Sequence, residues 1–278
     1  MVSTLDWNGK LGEMWANKVE AHDRLLGPIG DVGIALLGDI KGKRILDIGC
    51  GAGATSLAMA TAGAQVVGVD ISENLLAKAK ERDLENTCTF LLSDAATADF
   101  GEPFDLIYPF DLIYSRFGAM FFPDPVTAWT RLRDQIVSGG KAVHVCWRDA
   151  SLNEWVTFPL EAVASILGDE DTKVSPSGVP GPFVWADQAV FTDIFERSGW
   201  KVCAEQVSGD ILIGAGPNAV ADAVQYAMQV GPLGSRIKTL EPDLRNAVMS
   251  SLENAMKSKL VNGQIRLKTE GWAITATA

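Results

Sequence analysis

The chain has 278 residues, 47% of them apolar, with a formal charge of −11 and a pI near 4.7; that length suits one sizeable α/β domain with an appended cap. An acidic chain lacks the basic footprint of a nucleic-acid binder, so a DNA or RNA partner is not expected. Met1 to Lys10 hold no apolar leader core and no 18-residue apolar stretch occurs, which reads as a cytoplasmic chain with no membrane partner, while four dispersed cysteines and two histidines exclude a disulfide framework and a His-rich metal centre.

Residues 11–27 form a predicted amphipathic helix ending at Gly27-Pro28, with a second helix over 30–38. An alternating series follows: strand 44–48, helix 54–62, strand 65–70, helix 73–83, strand 88–92, an acidic loop over 94–103 and a fourth strand near 105–114. Pro123-Asp124-Pro125 starts the next helix, Ser138-Gly139-Gly140 ends it, and strand 141–147 closes the series. Strands alternating with helices imply a parallel sheet with right-handed crossovers. Residues 148–186 break the rhythm. They carry Trp155, Trp185 and the run from Pro176 to Pro182, and are expected to form a lid over a ligand or an inert insertion. Helix 187–198 and strand 200–206 resume the core, 217–230 and 241–260 are helical, and 271–276 is a last, antiparallel strand. The expected divisions are an N-terminal helical cap (1–40), a core (41–147), the lid (148–186) and a C-terminal part of the core (187–278) with its helical insertion at 217–260.

The fourth strand contains a tandem repeat. Pro103-Phe-Asp-Leu-Ile-Tyr108 is followed at once by Pro109-Phe-Asp-Leu-Ile-Tyr114. Both copies cannot share one central strand, because Pro109 offers no N–H to the ladder and twelve residues exceed the usual strand. The second copy is the better fit to the strand, since its end leads straight into Ser115-Arg116-Phe117-Gly118, with the first copy extruded on the far side.

The densest signal is Ile45-Leu-Asp-Ile-Gly-Cys-Gly-Ala-Gly53: a strand, a tight turn with Gly49, Gly51 and Gly53, and a helix start. Glycine lets backbone approach a ligand with no Cβ between them, so the turn opens a nucleotide-sized niche at a strand's carboxyl end. Asp47 precedes the first glycine by two residues, and Asp70 follows it by 21 at the end of the second strand. Gly49-x-Gly51-x-x-Ala54 also satisfies the dinucleotide fingerprint. Asp47 speaks against that reading, because a carboxylate beside pyrophosphate repels it, whereas a ligand with an ammonium group and no phosphate tolerates it.

Leu46-Asp-Ile-Gly-Cys-Gly-Ala-Gly53, Val69-Asp-Ile-Ser72 and Leu92-Ser-Asp-Ala95, in that order, resemble the three motifs of class I S-adenosylmethionine-dependent methyltransferases. Ser115–Gly118 and Val145-Cys-Trp-Arg148 are similar to the small-molecule, ubiquinone/menaquinone-biosynthesis-like group. The resemblance implies a Rossmann-like methyltransferase fold, with a mostly parallel seven-stranded sheet, helices on both faces and a cap. It implies S-adenosyl-L-methionine as cofactor: Asp47, Gly49, Cys50, Gly51 and Gly53 at the methionine end, Asp70 at the ribose hydroxyls, Asp94 and Ala95 at the adenine amine, with Ile71, Ser115 and the N-terminal Trp15 also binding the cofactor.

Methyl transfer from a sulfonium is an in-line displacement that asks mainly for orientation and desolvation; a base is needed only if the acceptor must lose a proton. His22 is the base candidate, since Trp15, Val19 and His22 share one face of a helix, against the plainer reading of a packed histidine. His144, inside an apolar strand, reads as core. Arg116 and Arg148 follow strands and could hold an acceptor carboxylate or form ordinary ion pairs. Phe117, Met120, Phe121, Trp147 and Trp155 suggest an apolar wall, or helix packing. The expected reaction is methylation of a small, apolar or aromatic metabolite, on oxygen first. The alternatives are other chemistry in the same pocket, dehalogenation included, and a non-catalytic cofactor-binding protein. The sequence sets no oligomeric state.

Overall fold

A computed structural model describes residues 6–100, 109–168, 181–229, 233–237 and 239–278. The sheet has seven strands in the order β3-β2-β1-β4-β5-β7-β6: β1 (Arg44–Ile48), β2 (Gln65–Asp70), β3 (Cys88–Leu92), β4 (Phe110–Arg116), β5 (Ile136–Trp147), β6 (Lys201–Ala215) and β7 (Gln264–Thr277). The first five pair in parallel, and β7 runs antiparallel to both β5 and β6. β1 and β4 are buried on both sides because both faces are covered. One face is packed by α2 (Val19–Leu37), α3 (Ala54–Thr61) and α4 (Glu73–Arg82), the other by α5 (Pro125–Asp134) and α7 (Gln188–Arg197). Between the last two, Trp129 is fully buried, its ring 4.6 Å from Phe195 and 5.8 Å from Trp200.

A helical group covers the other end of the long β6–β7 pair. It comprises α6 (Glu154–Leu167), α8 (Ala219–Gln229), α9 (Leu233–Ile237) and α10 (Pro242–Ser258), with α6 and α8 both packed on α10. α6 lies within the expected lid, yet Val156 and Val163 are fully buried in the main core. Residues 169–180 of that lid lie outside the described residues.

The structure departs from the sequence reading in three places. The N-terminal helix breaks at Asn17-Lys18, giving α1 (Lys10–Ala16) and a continuous α2 that contains Pro28. Proline in a helix interior removes a hydrogen bond; here the docked face of α2 outweighs that loss, with Ile29 buried and Tyr114 Oη donating to the Gly30 carbonyl at 2.9 Å. α5 stops at Asp134, and Gly139 at φ +74° sits inside β5 beside a register shift instead of ending a helix. β6 and β7 extend well beyond 200–206 and 271–276, because they pair with each other over their whole length. The second copy of the repeat forms β4, as its flanking loop implied; the first copy lies outside the described residues.

Candidate functional site

The strand order places the carboxyl ends of β3, β2, β1 and β4 side by side, and the residues singled out in the sequence converge there. The turn after β1 has three positive φ angles, +67° at Gly49, +55° at Gly51 and +79° at Gly53. The Gly49 and Cys50 amides donate to the Val69 carbonyl at 2.9 and 3.1 Å, tying the turn to β2. A Cβ on Gly49 would lie 2.8 Å from the Gly118 Cα, so the loops after β1 and β4 pass in backbone contact. A Cβ on Gly51 would meet nothing within 4 Å. Gly51 therefore faces an open cradle, whereas Gly49 is fixed by packing.

Asp70 closes the cradle. Its Oδ2 accepts from the Gly51 amide and its Oδ1 from the Ser72 amide, both at 2.8 Å. Burial raises its pKa, opposed by those amides and that of Ile71. Ile71 beside it is 38% exposed, an apolar surface at the rim. Asp94, two residues past β3, is exposed; its Oδ1 accepts from the Ala96 amide at 2.9 Å and shapes a turn over the buried Ala95. Asp47 is buried. Its Oδ2 accepts from Thr55 Oγ1 at 2.8 Å and Ser56 Oγ at 2.6 Å, while its Oδ1 has no hydrogen-bond partner. Burial raises its pKa; Ser56, Thr55 and the Arg116 charge pull the other way. The orphaned oxygen and the open cradle fit a ligand that brings an ammonium group and needs close backbone approach. Cys50 packs beneath the turn, its thiol pushed well up by burial, and so is an inert core group.

Arg116 shares the α2 side of β4 with Tyr114 and does not face the aromatic side expected for an acceptor. Its Nη2 lies 3.9 Å from Asp23 Oδ1 on α2. The other Asp23 oxygen accepts from Arg82 Nη2 at 2.7 Å, and Arg82 Nη1 donates to the Ala52 carbonyl at 2.8 Å. This chain from β4 through α2 and α4 to the glycine turn was not visible in the sequence. Ser115 is likewise redirected. Its Oγ donates to the Ile48 carbonyl at 2.9 Å and accepts from the Ala119 amide at 3.0 Å, so the hydroxyl ties β1 to β4 and is not offered to a ligand. Arg148 takes the second of its two expected roles: Nη1 pairs with Glu270 Oε2 at 2.9 Å and the guanidinium sits over Trp272, a contact between β5 and β7.

The N-terminal segment lies over this edge. Trp15 in α1 stacks on His22 in α2 at 3.9 Å, across the helix break. Trp7, which the sequence reading did not single out, sets its edge 5.5 Å from Trp15 and 6.0 Å from Phe121. His22 is buried, and its pKa falls to about 4, chiefly through desolvation. A proton acceptor works best with a pKa near the working pH, so the value disfavours His22 as a general base. His144 is fully core, its pKa lowered to about 3 by burial, with its ring edge-on to Trp185.

On the opposite side, aromatic rings line up past the ends of β4 and β5. Phe117 stacks on Trp147 at 4.2 Å, Trp147 meets Trp155 at 5.1 Å, and Trp155 meets Phe183 at 5.9 Å. Phe117 holds φ +61°, a left-handed conformation that a bulky side chain adopts only under constraint from its surroundings. Met120 is buried in the core, and Phe121, half-buried, turns to Trp7 of the N-terminal segment.

A seven-stranded sheet of this order, with a glycine cradle after β1 and acids ending β2 and following β3, is a Rossmann-like methyltransferase fold. Residues 45–140 of the chain match the family model described as a methyltransferase domain. The chain is 42% identical over 82 residues to the magnesium-protoporphyrin O-methyltransferase of Rhodobacter capsulatus, covering 28% of this chain and 36% of that one. It is 51% identical over 49 residues to a ubiquinone biosynthesis O-methyltransferase of Bordetella parapertussis, 18% and 20% of the two chains. The matches thus span well under half of those relatives. The YcgJ protein of Bacillus subtilis shares the fold, with a TM-score of 0.54 at 18% identity over 90% of this chain and 97% of that one.

Proposed function

We propose that this protein transfers a methyl group from S-adenosylmethionine to a small, apolar or aromatic metabolite. The observation that carries the proposal is the pairing of an open Gly51 cradle with the orphaned Asp47 Oδ1 at the end of β1. When bound, S-adenosylmethionine supplies a sulfonium methyl that is already activated toward displacement. The residues of the chain have the remaining tasks. Asp70 would accept from the ribose hydroxyls, Ile71 would cover an adenine face, and Asp94 and Ala95 would meet its amine edge. Asp47 would receive the ammonium group. Arg116, inside the same group of charges, is better placed for the cofactor's carboxylate than for an acceptor. Trp15 and Trp7 would exclude water over the methionine end. Phe117, Trp147, Trp155 and Phe183, buried and packed on one another, would back an apolar wall behind an aromatic acceptor at the methyl. Oxygen is favoured as the acceptor atom, because both relatives named above are O-methyltransferases.

Incubation with methyl-labelled S-adenosylmethionine and a panel of phenolic and quinol metabolites, read by mass spectrometry, tests the proposal. A labelled O-methyl product together with S-adenosylhomocysteine supports it. Cofactor consumption without a methylated product would favour other chemistry in the pocket, and binding without turnover on any acceptor would favour a non-catalytic protein.

A further inference from the structure

A second concavity shares Arg82 with the glycine turn, whose Ala52 carbonyl accepts from Arg82 Nη1. β6 and β7 run on past the main sheet, and the chain turns at Gly214–Gly216 into α8. That helix buries Ala219, Ala223 and Ala227 on one side. Asp222, Gln225, Tyr226 and Gln229, at spacings of three, one and three, form another stripe of the same helix. This stripe faces the α1–α2 elbow across a cleft of about 590 Å³, closed below by Leu212 and Ile213 and at the side by Lys78 and Arg82 of α4. The volume lies in the range of small-molecule sites.

The charges in this cleft run against those of the whole molecule. Its lining holds four cations, Lys18, Arg24, Lys78 and Arg82, and two acids, Glu20 and Asp222, in a chain of formal charge −11. Arg82 is engaged by Asp23 and Lys78 by Glu81. Among the described residues no carboxylate lies within ion-pair distance of Lys18 or Arg24. His22 lines the same cleft, 93% buried by its 7% exposure, and its Nδ1 has no hydrogen-bond partner. A buried ring nitrogen without a partner is costly, and cations without counter-ions in a concave, partly desolvated site focus a positive potential.

We propose that this cleft binds a small organic anion, with Lys18 and Arg24 pairing its carboxylate or phosphate beside the His22 ring that lines the cleft. The site shares no residue with Asp70 or the aromatic row, but it borders the cofactor site through Arg82, which donates to the Ala52 carbonyl of the glycine turn, and through His22, which stacks on Trp15. A carboxylate and a phosphate present the same charge-assisted acceptor chemistry to two cations. Tyr226 and Gln229 on the facing helix would contact the remainder of the molecule. The anion would also bridge α8 to the elbow that carries Trp15, which couples its occupancy to the segment lying over the cofactor edge.

The chain has two histidines, so imidazole ¹⁵N spectra of histidine-labelled protein report His22 directly, with core His144 as internal control. The protein is titrated without cofactor using benzoate, inorganic phosphate and the uncharged isostere benzamide. The expected result is a saturable shift of the His22 signals with benzoate or phosphate, none with benzamide, and a still His144. Saturation by one anion alone identifies the source of the charge. The double variant K18E/R24E should weaken the anion roughly tenfold or more. Its melting temperature reports folding separately, and R24Q alone, on an exposed side chain, should give a smaller loss in the same direction. Shifts that never saturate, equal shifts with benzamide, or an affinity unchanged by charge reversal in folded protein would overturn the proposal.

Discussion

Replacing Gly51 by alanine separates the cradle from the fold. The residue sits at φ +55°, where an L side chain pays about 1–2 kcal/mol. Alanine also restricts the unfolded chain, which returns about 0.4–1 kcal/mol. The amide that donates to Asp70 is retained, and the new Cβ meets no atom within 4 Å. The net cost to folding is therefore about 1 kcal/mol, or a few degrees in melting temperature for a chain of this size. The methyl group would, however, occupy the cradle that the cofactor backbone contact needs. Loss of that approach should weaken S-adenosylhomocysteine by about 100-fold, roughly 2.8 kcal/mol. Gly49→Ala gives the opposite pattern: its Cβ would lie 2.8 Å from the Gly118 Cα, between two backbones, and should destabilise the fold by about 1–3 kcal/mol more. Calorimetric titration and thermal melts of both variants read the two effects. A Gly51→Ala protein that binds S-adenosylhomocysteine as tightly as the parent would refute the assignment of the cradle.

Trp147→Ala removes the stacking partner of Phe117 and Trp155. It should raise the acceptor KM or lower kcat while leaving cofactor affinity nearly unchanged; equal loss of both would make Trp147 structural. The two histidines predict an acid-side loss of stability. Their folded pKa values, about 4 for His22 and about 3 for His144, lie below the unfolded value near 6.5. The unfolded chain therefore binds protons first, and stability is full above that value and falls as pH drops through the window from about 6.5 toward 4. Between pH 7 and pH 5 each imidazole should account for about 2 kcal/mol in denaturant unfolding. The raised Asp47 and Asp70 carboxyls act in the opposite sense, so comparison with His144→Leu isolates the imidazole share; an unchanged pH slope in that variant would contradict the burial of His144. Deleting one hexapeptide copy should change stability by about 1 kcal/mol or less and leave cofactor affinity intact, whereas an altered acceptor preference would show that the extra copy reaches the pocket.

The parallel half of the fold was legible because each strand from β1 to β3 is a short apolar run bounded by glycine or acidic residues, and the acids that matter sit at the run ends. The N-terminal break was not, since Asn17-Lys18 carries no strong breaker while Gly27-Pro28 does, and only packing on the sheet shows why the second pair stays helical. The long β6–β7 pair was hidden by exposed polar positions along β6, which read as loop until the two strands are paired. Alternation along β4 put Arg116 on the same side as Tyr114, but which side carries α2 is a tertiary fact. Asp23 and Arg82, 59 positions apart, meet only in the folded chain, as do Arg148 and Glu270.

The glycine turn satisfies the spacing rules of two cofactors, and one titration separates them most directly. Purified protein is titrated calorimetrically with S-adenosylmethionine, S-adenosylhomocysteine and NADH. The account predicts saturable binding of both sulfur compounds, weakened by Gly51→Ala, and no heat from NADH because the buried Asp47 lies beside the turn that would hold its pyrophosphate. Tight NADH binding with no response to S-adenosylmethionine would contradict it.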